Sequence, residues 1–305
     1  MEEKLLDELY ALFRRNLPFA VRAEDTARRI LGDAGNHVLA RRGPDGALIA
    51  AAVIHGDAIY LLCVDAAHRR AGLGSGLLRE AEEHMRAQGV LDAHVGAGAD
   101  YLTPGVPTDA PPWAEGLPRV SAPGLSGAAQ AFFEKRGYRH SWGECNCFDM
   151  SMSLDELAPD APHVGDTVEG VRYRWAEARD RAGVCACMDG AHAEFTRYYA
   201  APELYAGAHA QRVLIAEAQG GVRGALIVSR EAEGRGLGSV GCTAVTPAWR
   251  GRHIAANMVL AGTRSLRDAG LERAFLGYTY SGLERLYGRA GYRICAYYFM
   301  AQKRL

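Results

Sequence analysis

The spacing of apolar residues along this chain changes in a set order, and that order occurs twice. Residues 3–15 and 24–31 repeat apolar side chains three and four apart, as helices with one buried face do. Val38–Arg41 and Ala47–His55 then become strand-like around the turn Gly43-Pro44-Asp45-Gly46, which predicts a hairpin. An apolar strand over Ile59–Val64 follows. After a turn of glycines and arginines, the helical period returns over about 72–88. A second round starts with a helical stretch over about 178–200. It continues with a hairpin of Val213–Glu217 and Ala225–Ser229 around Gly220-Gly221, a strand over Ser239–Val245 and a helix over about 253–269. A short strand, a further helix and closing strands complete each round. The pattern predicts an α+β fold in each half, with helices flanking a mixed, mostly antiparallel sheet.

Residue identities follow the same repeat. Shifting the chain by 181 residues lays Val64 on Val245, Arg69 on Arg250 and Gly89 on Gly270. Phe133-Glu134-Lys135-Arg136-Gly137-Tyr138 matches Tyr287-Gly288-Arg289-Ala290-Gly291-Tyr292 at a shift of 154, so the first half carries 27 extra residues. They fall at about 98–126, where Pro and Gly are frequent and neither hydrophobic period holds. The expected organisation is a first domain over 1–154, a linker over 155–166 with Pro159, Pro162 and Gly165, and a second domain over 167–305. The insertion is expected to contact the second half.

Composition narrows the function classes. The chain has 305 residues and a net charge of −1, which is enough for two cores and provides no basic field for nucleic acid. Any anionic ligand must be held by a local cluster of donors. No apolar run is long enough for a membrane span, and the acidic, amphipathic Met1–Asp7 is no signal peptide. A cytoplasmic protein with reduced thiols is expected. The pairs Cys145/Cys147 and Cys185/Cys187 raise a metal site as an alternative, but the second pair reads as helical and no histidines fall at a matching spacing.

The candidate chemistry lies where the strand ending at Leu62, Cys63 and Val64 gives way to a helix through Arg69-Arg70-Ala71-Gly72-Leu73-Gly74-Ser75-Gly76. First-turn amides of a helix lack intrahelical partners and sit at the positive end of the dipole, so they attract anions. Glycines let a pyrophosphate reach the main chain. Leu77 breaks the G-x-G-x-x-G dinucleotide pattern and no G-K-S/T follows, so neither rival nucleotide loop fits. The corresponding segment of the second half is Thr243, Ala244 and Val245, then Arg250-Gly251-Arg252-His253-Ile254-Ala255-Ala256.

Arg69-x-x-Gly72-x-Gly74 after a strand resembles the Gln/Arg-x-x-Gly-x-Gly/Ala signature of GCN5-related (GNAT) acetyltransferases. Phe132-Phe133-Glu134-Lys135-Arg136-Gly137-Tyr138 resembles the later F-Y-E-K-x-G-F block of that family. The resemblance implies tandem GNAT domains and acetyl-CoA as cosubstrate. It also implies splayed central strands whose backbone (Leu62–Val64 or Thr243–Val245) binds the pantetheine arm, and turns (Arg69–Gly76 or Arg250–Ala256) that bind the pyrophosphate. It further implies direct attack of an amine on the thioester, with a tyrosine protonating the departing thiolate. The first half has Phe133 at that tyrosine's place. The second half has Tyr287 there, but His253 replaces the first motif glycine. Tyr287 is thus the expected acid, with Glu284 one turn earlier as a second catalytic candidate, and Asp189, His192 and Glu194 in the region that shapes the acceptor site. Tyr101-Leu102-Thr103-Pro104-Gly105-Val106 and Gly277–Glu284 resemble tandem GNAT proteins that act on glucosamine, which implies a small amine, an amino sugar, as acceptor. A peptide acceptor and a catalytically silent acetyl-CoA-binding module are the alternatives.

Overall fold

The computed structural model describes residues 2–96, 101–207, 209–231 and 236–305, so Ala97–Asp100 of the insertion lie outside the described residues. The chain divides into two compact units. One comprises the chain up to Phe148 together with Cys295–Leu305; the other is Asp149–Ile294. The first boundary lies between Phe148 and Asp149, so residues 149–154 of the expected first domain fall in the second unit. The C-terminal segment was expected in the second domain, but it folds with the first.

In the first unit, α1 (Glu3–Asn16) and α2 (Glu24–Gly32) precede β1 (His37–Arg42), β2 (Leu48–His55) and β3 (Ala58–Val64). Then come α3 (Leu73–Ala87), β4 (Asp92–Val95), β5 (Val106–Thr108), α4 (Ala128–Glu134), β6 (Arg139–His140) and β7 (Cys147–Ser153), which runs across the unit boundary. The sheet order is β1-β2-β3-β4, then the last strand of the chain, then β6. Two cores form on its faces. Leu9, Leu12 and Phe13 of α1 pack with Ile30 and Leu31 of α2 on Ala51, Val53 and Leu61. Leu77, Leu78, Ala81 and Met85 of α3 pack with Phe133 and Tyr138 on Ala50, Ala52 and Ile54. Alternation along β2 sends successive residues to opposite cores, which is why that strand reads as one apolar run.

In the second unit, β8 (Thr167–Val168), β9 (Val171–Trp175), α5 (Arg181–His192), α6 (Thr196–Tyr199), β10 (Gln211–Ala218), β11 (Gly221–Ser229) and β12 (Leu237–Val245) lead to α7 (Ile254–Asp268). β13 (Arg273–Tyr280), α8 (Glu284–Gly288), β14 (Arg293–Phe299) and β15 (Ala301–Arg304) follow, the last two reaching into the first unit. The run β10-β11-β12-β13 reproduces the order β1-β2-β3-β4. In both runs the pairs are antiparallel except the last, β3 with β4 and β12 with β13. The expected linker is not free chain. The buried Arg264 of α7 hydrogen-bonds the carbonyls of Ala158 and Pro159 and the His163 ring, fixing this segment to the second unit.

The insertion carries more structure than its composition suggests. β5 pairs antiparallel with Tyr297–Phe299, Trp113 and Asn146 exchange hydrogen bonds, and the Tyr297 hydroxyl donates to the Pro118 carbonyl at 2.8 Å. Tyr297–Phe299 belongs to the second half in sequence and to the first unit in space. No helix among the described residues is long and apolar enough to cross a membrane.

Candidate active site

Both units open a gap between their parallel strands. β3 pairs with β4 only through Ala58 and Ile59, and β12 pairs with β13 only through Leu237 and Gly238. Beyond those residues the two strands are not paired, so main-chain groups of β3 and β12 on that side have no strand partner among the described residues. A β-bulge in each strand decides which groups these are. The partners of Val53 and Ile54 are Leu61 and Ile59, so Tyr60 is the extra residue and the alternation shifts by one. After the shift Asp65 donates to Ile49, so Leu61, Cys63 and Asp65 direct their backbone at β2. Leu62 and Val64 direct theirs into the gap. In the second unit the bulge lies at Cys242 and Thr243, and Thr246 donates to Arg223. Ala244 is therefore turned to β11, while Thr243 and Val245 face the gap. Cys63 and Ala244, expected with their neighbours as backbone contacts of the pantetheine arm, have their main chain in the sheet.

The two turns share a single construction. Arg69 Nε donates to the Val64 carbonyl at 3.0 Å and Nη2 to Asn16 Oδ1 at 2.9 Å. Arg250 Nε donates to the Val245 carbonyl at 3.1 Å and Nη2 to the Ala191 carbonyl at 3.1 Å. Each arginine thus braces the strand end against the C-terminal end of a helical segment, and its guanidinium is directed at the protein. Gly72 caps α3 at φ +85° and His253 caps α7 at φ +57°, both left-handed. Glycine adopts that geometry freely, whereas a residue with a Cβ is destabilised by about 1–2 kcal/mol. His253 therefore keeps the backbone path and its amide at some cost in strain. A Cβ built on Gly76 meets nothing within 4 Å, so the first unit's own packing does not require a glycine inside α3. Glycine there weakens a helix by about 0.5–1 kcal/mol relative to alanine, and the open space suits the approach of a phosphate.

Two cations missed in the sequence stand at these helix starts. Arg136 lies over the Phe132 ring, 3.8 Å from its centroid, and donates to Ser75 Oγ at 2.6 Å. Arg289 Nη1 lies 3.4 Å from His253 Nδ1. The signal was present, since both sit in the second matched block, but nothing in that block shows that α4 and α8 bring it over the turn.

The largest contrast lies at Phe133 and its counterpart Tyr287. Phe133 and Tyr138 pack edge to face at 5.1 Å in the first unit, and Tyr287 and Tyr292 do so at 6.0 Å in the second. Tyr287 is 5% exposed, and its hydroxyl lies 3.5 Å from Thr243 Oγ1 on the bulge. Burial raises its pKa above the ordinary tyrosine value, opposed by the Thr243 hydrogen bond. Glu284 is placed differently: its carboxylate accepts the Gly282 amide at 2.6 Å, fixing the turn from which α8 starts. Asp189 accepts from Thr196 Oγ1 at 2.5 Å, and His192 stacks on Phe195. Both brace the α5–α6 segment. No disulfide and no group of three metal-ligating side chains occurs among the described residues.

Comparison with known proteins agrees with this geometry. Residues 6–101 match the family model described as Acetyltransferase (GNAT) family. No curated protein matches the chain by sequence. Among solved structures, the GCN5-related glucosamine N-acetyltransferase region of a fungal multi-domain GH3 beta-N-acetylglucosaminidase is similar at 20% identity and a TM-score of 0.70, over 97% of this chain and 36% of that one. The present chain thus spans about a third of that protein. A GCN5-related N-acetyltransferase from Sphaerobacter thermophilus gives 20% identity and 0.65, over 97% and 91% of the two chains. A tandem GNAT protein from the clavulanic acid biosynthesis pathway gives 16% and 0.68, over 99% and 95%. Likeness at these identities establishes the fold.

Proposed function

From the premise that this chain carries a GNAT acetyltransferase domain within a tandem GNAT fold, we propose that it transfers acetyl from acetyl-CoA to the primary amine of a small molecule, and that the second unit carries the chemistry. The observation that carries the reading is the Tyr287 hydroxyl, 3.5 Å from Thr243 Oγ1 at the bulge of the opened strand pair. The pantetheine arm enters the gap along Thr243 and Val245, with the pyrophosphate at the Gly251–Ala256 amides and Arg289. The neutral amine attacks the thioester carbonyl and gives a tetrahedral oxyanion, which the Thr243 amide stabilises. Collapse breaks the C–S bond, the thiolate takes the Tyr287 proton, the new ammonium loses its proton to solvent, and the Tyr287 phenolate regains one from solvent. Burial suits Tyr287 to this task, because it keeps the proton in place throughout the neutral range. Glu284 acts by fixing the start of α8 and hence the position of Tyr287.

The first unit is proposed as a second acetyl-CoA cleft with an intact pyrophosphate cradle at Gly72–Gly76 and no acid, because Phe133 has no proton to give. An amino sugar is the proposed acceptor. The resemblance of the Tyr101–Val106 and Gly277–Glu284 stretches to glucosamine-acting tandem proteins supports it, as does the fold shared with a glucosamine N-acetyltransferase region. Seven cysteines without a disulfide support a cytoplasmic setting. The test incubates the chain with acetyl-CoA, an amine panel and a thiol reagent. Release of CoA with glucosamine but not with peptides is expected. Release with basic peptides alone would establish the peptide reading, and acetyl-CoA binding without any release would establish the silent one.

A further inference from the structure

Cys242 takes φ +51° within β12, a left-handed conformation that favours glycine, whereas the described residues of the first unit's bulge at Tyr60 show no positive φ. Strain of this kind persists where the surroundings over-determine it. What holds it here is Tyr199, whose hydroxyl donates to the Cys242 carbonyl at 2.7 Å. Tyr199 is 0% exposed, and its own carbonyl accepts the Tyr205 hydroxyl at 3.0 Å. A trans peptide directs its C=O and its following N–H to opposite sides. Fixing the Cys242 oxygen therefore fixes the direction of the Thr243 amide, and the strand register turns that amide away from β11 into the gap.

We propose that Tyr199 is a positioning residue for the acetyl group: by holding the Cys242 carbonyl it aims the Thr243 N–H at the thioester oxygen. This rests on the reading of the second unit as the acetyl-transferring one. The bulge is gripped from two sides, by Tyr199 at the Cys242 carbonyl and by Tyr287 at the Thr243 hydroxyl. The first pins the group that receives the oxyanion, and the second supplies the proton to sulfur. The first unit has Phe133 where the second has Tyr287, so the proton donor is confined to the cleft that carries the strained Cys242.

The test is Tyr199→Phe in the full chain, which keeps the ring in the core and deletes one hydroxyl. With acetyl-CoA and glucosamine, kcat is expected to fall about tenfold, less than the loss of a whole oxyanion donor. KM for acetyl-CoA should change less than about twofold and the pH profile should keep its shape. Tyr205→Phe loosens the same buried cluster without touching the bulge, and should keep kcat near wild type. The second readout needs no turnover. The infrared carbonyl band of bound [1-13C]acetyl-CoA should lie below that of free ligand in the wild type and return toward it in Tyr199→Phe. An unchanged band and kcat in Tyr199→Phe, or an equal loss in Tyr205→Phe, overturns the proposal. A chain that transfers to no amine overturns the functional reading alone, and the band shift then decides for Tyr199. A chain that binds no acetyl-CoA overturns both.

Discussion

Lys303 places its ammonium on both carboxylate oxygens of Glu82, at 2.9 and 2.8 Å, joining the last strand of the chain to α3 of the first unit. Glu82 is nearly buried, so removing Lys303 leaves its carboxylate in a poorly solvated site with the longer contact to Arg86 Nη2, at 3.4 Å, as its remaining ion pair. Lys303→Ala is expected to destabilise the protein by about 3 kcal/mol in urea denaturation, the lower end for a broken buried pair because Lys303 keeps some contact with water. A loss below about 0.5 kcal/mol would show that the Glu82 carboxylate is hydrated once Lys303 is gone.

Replacing Tyr287 by Phe makes the second unit resemble the first at the point where we propose that the thiolate leaves. We expect kcat to fall by about 10²-fold or more with acetyl-CoA affinity nearly unchanged. Phe133→Tyr should do little, since no left-handed bulge faces it. Wild-type turnover in Tyr287→Phe, with chemistry limiting the rate, would remove Tyr287 as the acid.

Gly74→Glu places a negative side chain on the first turn of α3, beside Val64 and Phe132. If the first cleft binds CoA, calorimetry of the variant should show one site fewer than the wild type. Unchanged stoichiometry and affinity would mean that the glycine turn is structural.

The buried hydroxyls of Tyr199, Tyr287 and Tyr292 all have pKa values raised above the ordinary 10.0, chiefly by burial. The unfolded chain releases these protons near pH 10, while the folded chain holds them to higher pH. Stability is therefore fully present below pH 10 and declines as pH rises through the folded values. Thermal unfolding followed from pH 7 to about 11.5 should show a steep loss above 10. Burial also pushes Cys63 up to about 12 and Cys242 to about 11, so at pH 8 both should react with iodoacetamide far more slowly than a free thiol.

The repeat and the hydrophobic periods made most of this fold legible. The helix expected over 72–88 spans Leu73–Ala87, and the strand expected over Ile59–Val64 spans Ala58–Val64. Tyr287 was also visible, because it occupies the same place in the second copy as Phe133 in the first. What stayed hidden depends on geometry rather than on residue type. An arginine in a phosphate motif reads as an anion ligand, yet Arg69 and Arg250 are engaged with the strand carbonyls beside them. The one-residue shifts at Tyr60 and Cys242 have no sequence signature, and they set which backbone groups face the gap. Tyr199 looked like any aromatic in a helical stretch until its partner was seen to be a strained carbonyl.

The pairing of β15 with both β4 and β6 also bears on how the protein is made. A ribosome completes β6 and then translates about 160 further residues, the whole of the second unit among them, before β15 appears. At 5–20 residues per second the first unit waits roughly 10–30 s with its sheet open between β4 and β6. Throughout that interval Glu82 lacks Lys303, and both strands present unpaired edges to other nascent chains. The second unit meets no such delay, because its run of strands from β8 to β13 is complete before β15 is made. The half that leaves the ribosome first is therefore the half that finishes folding last.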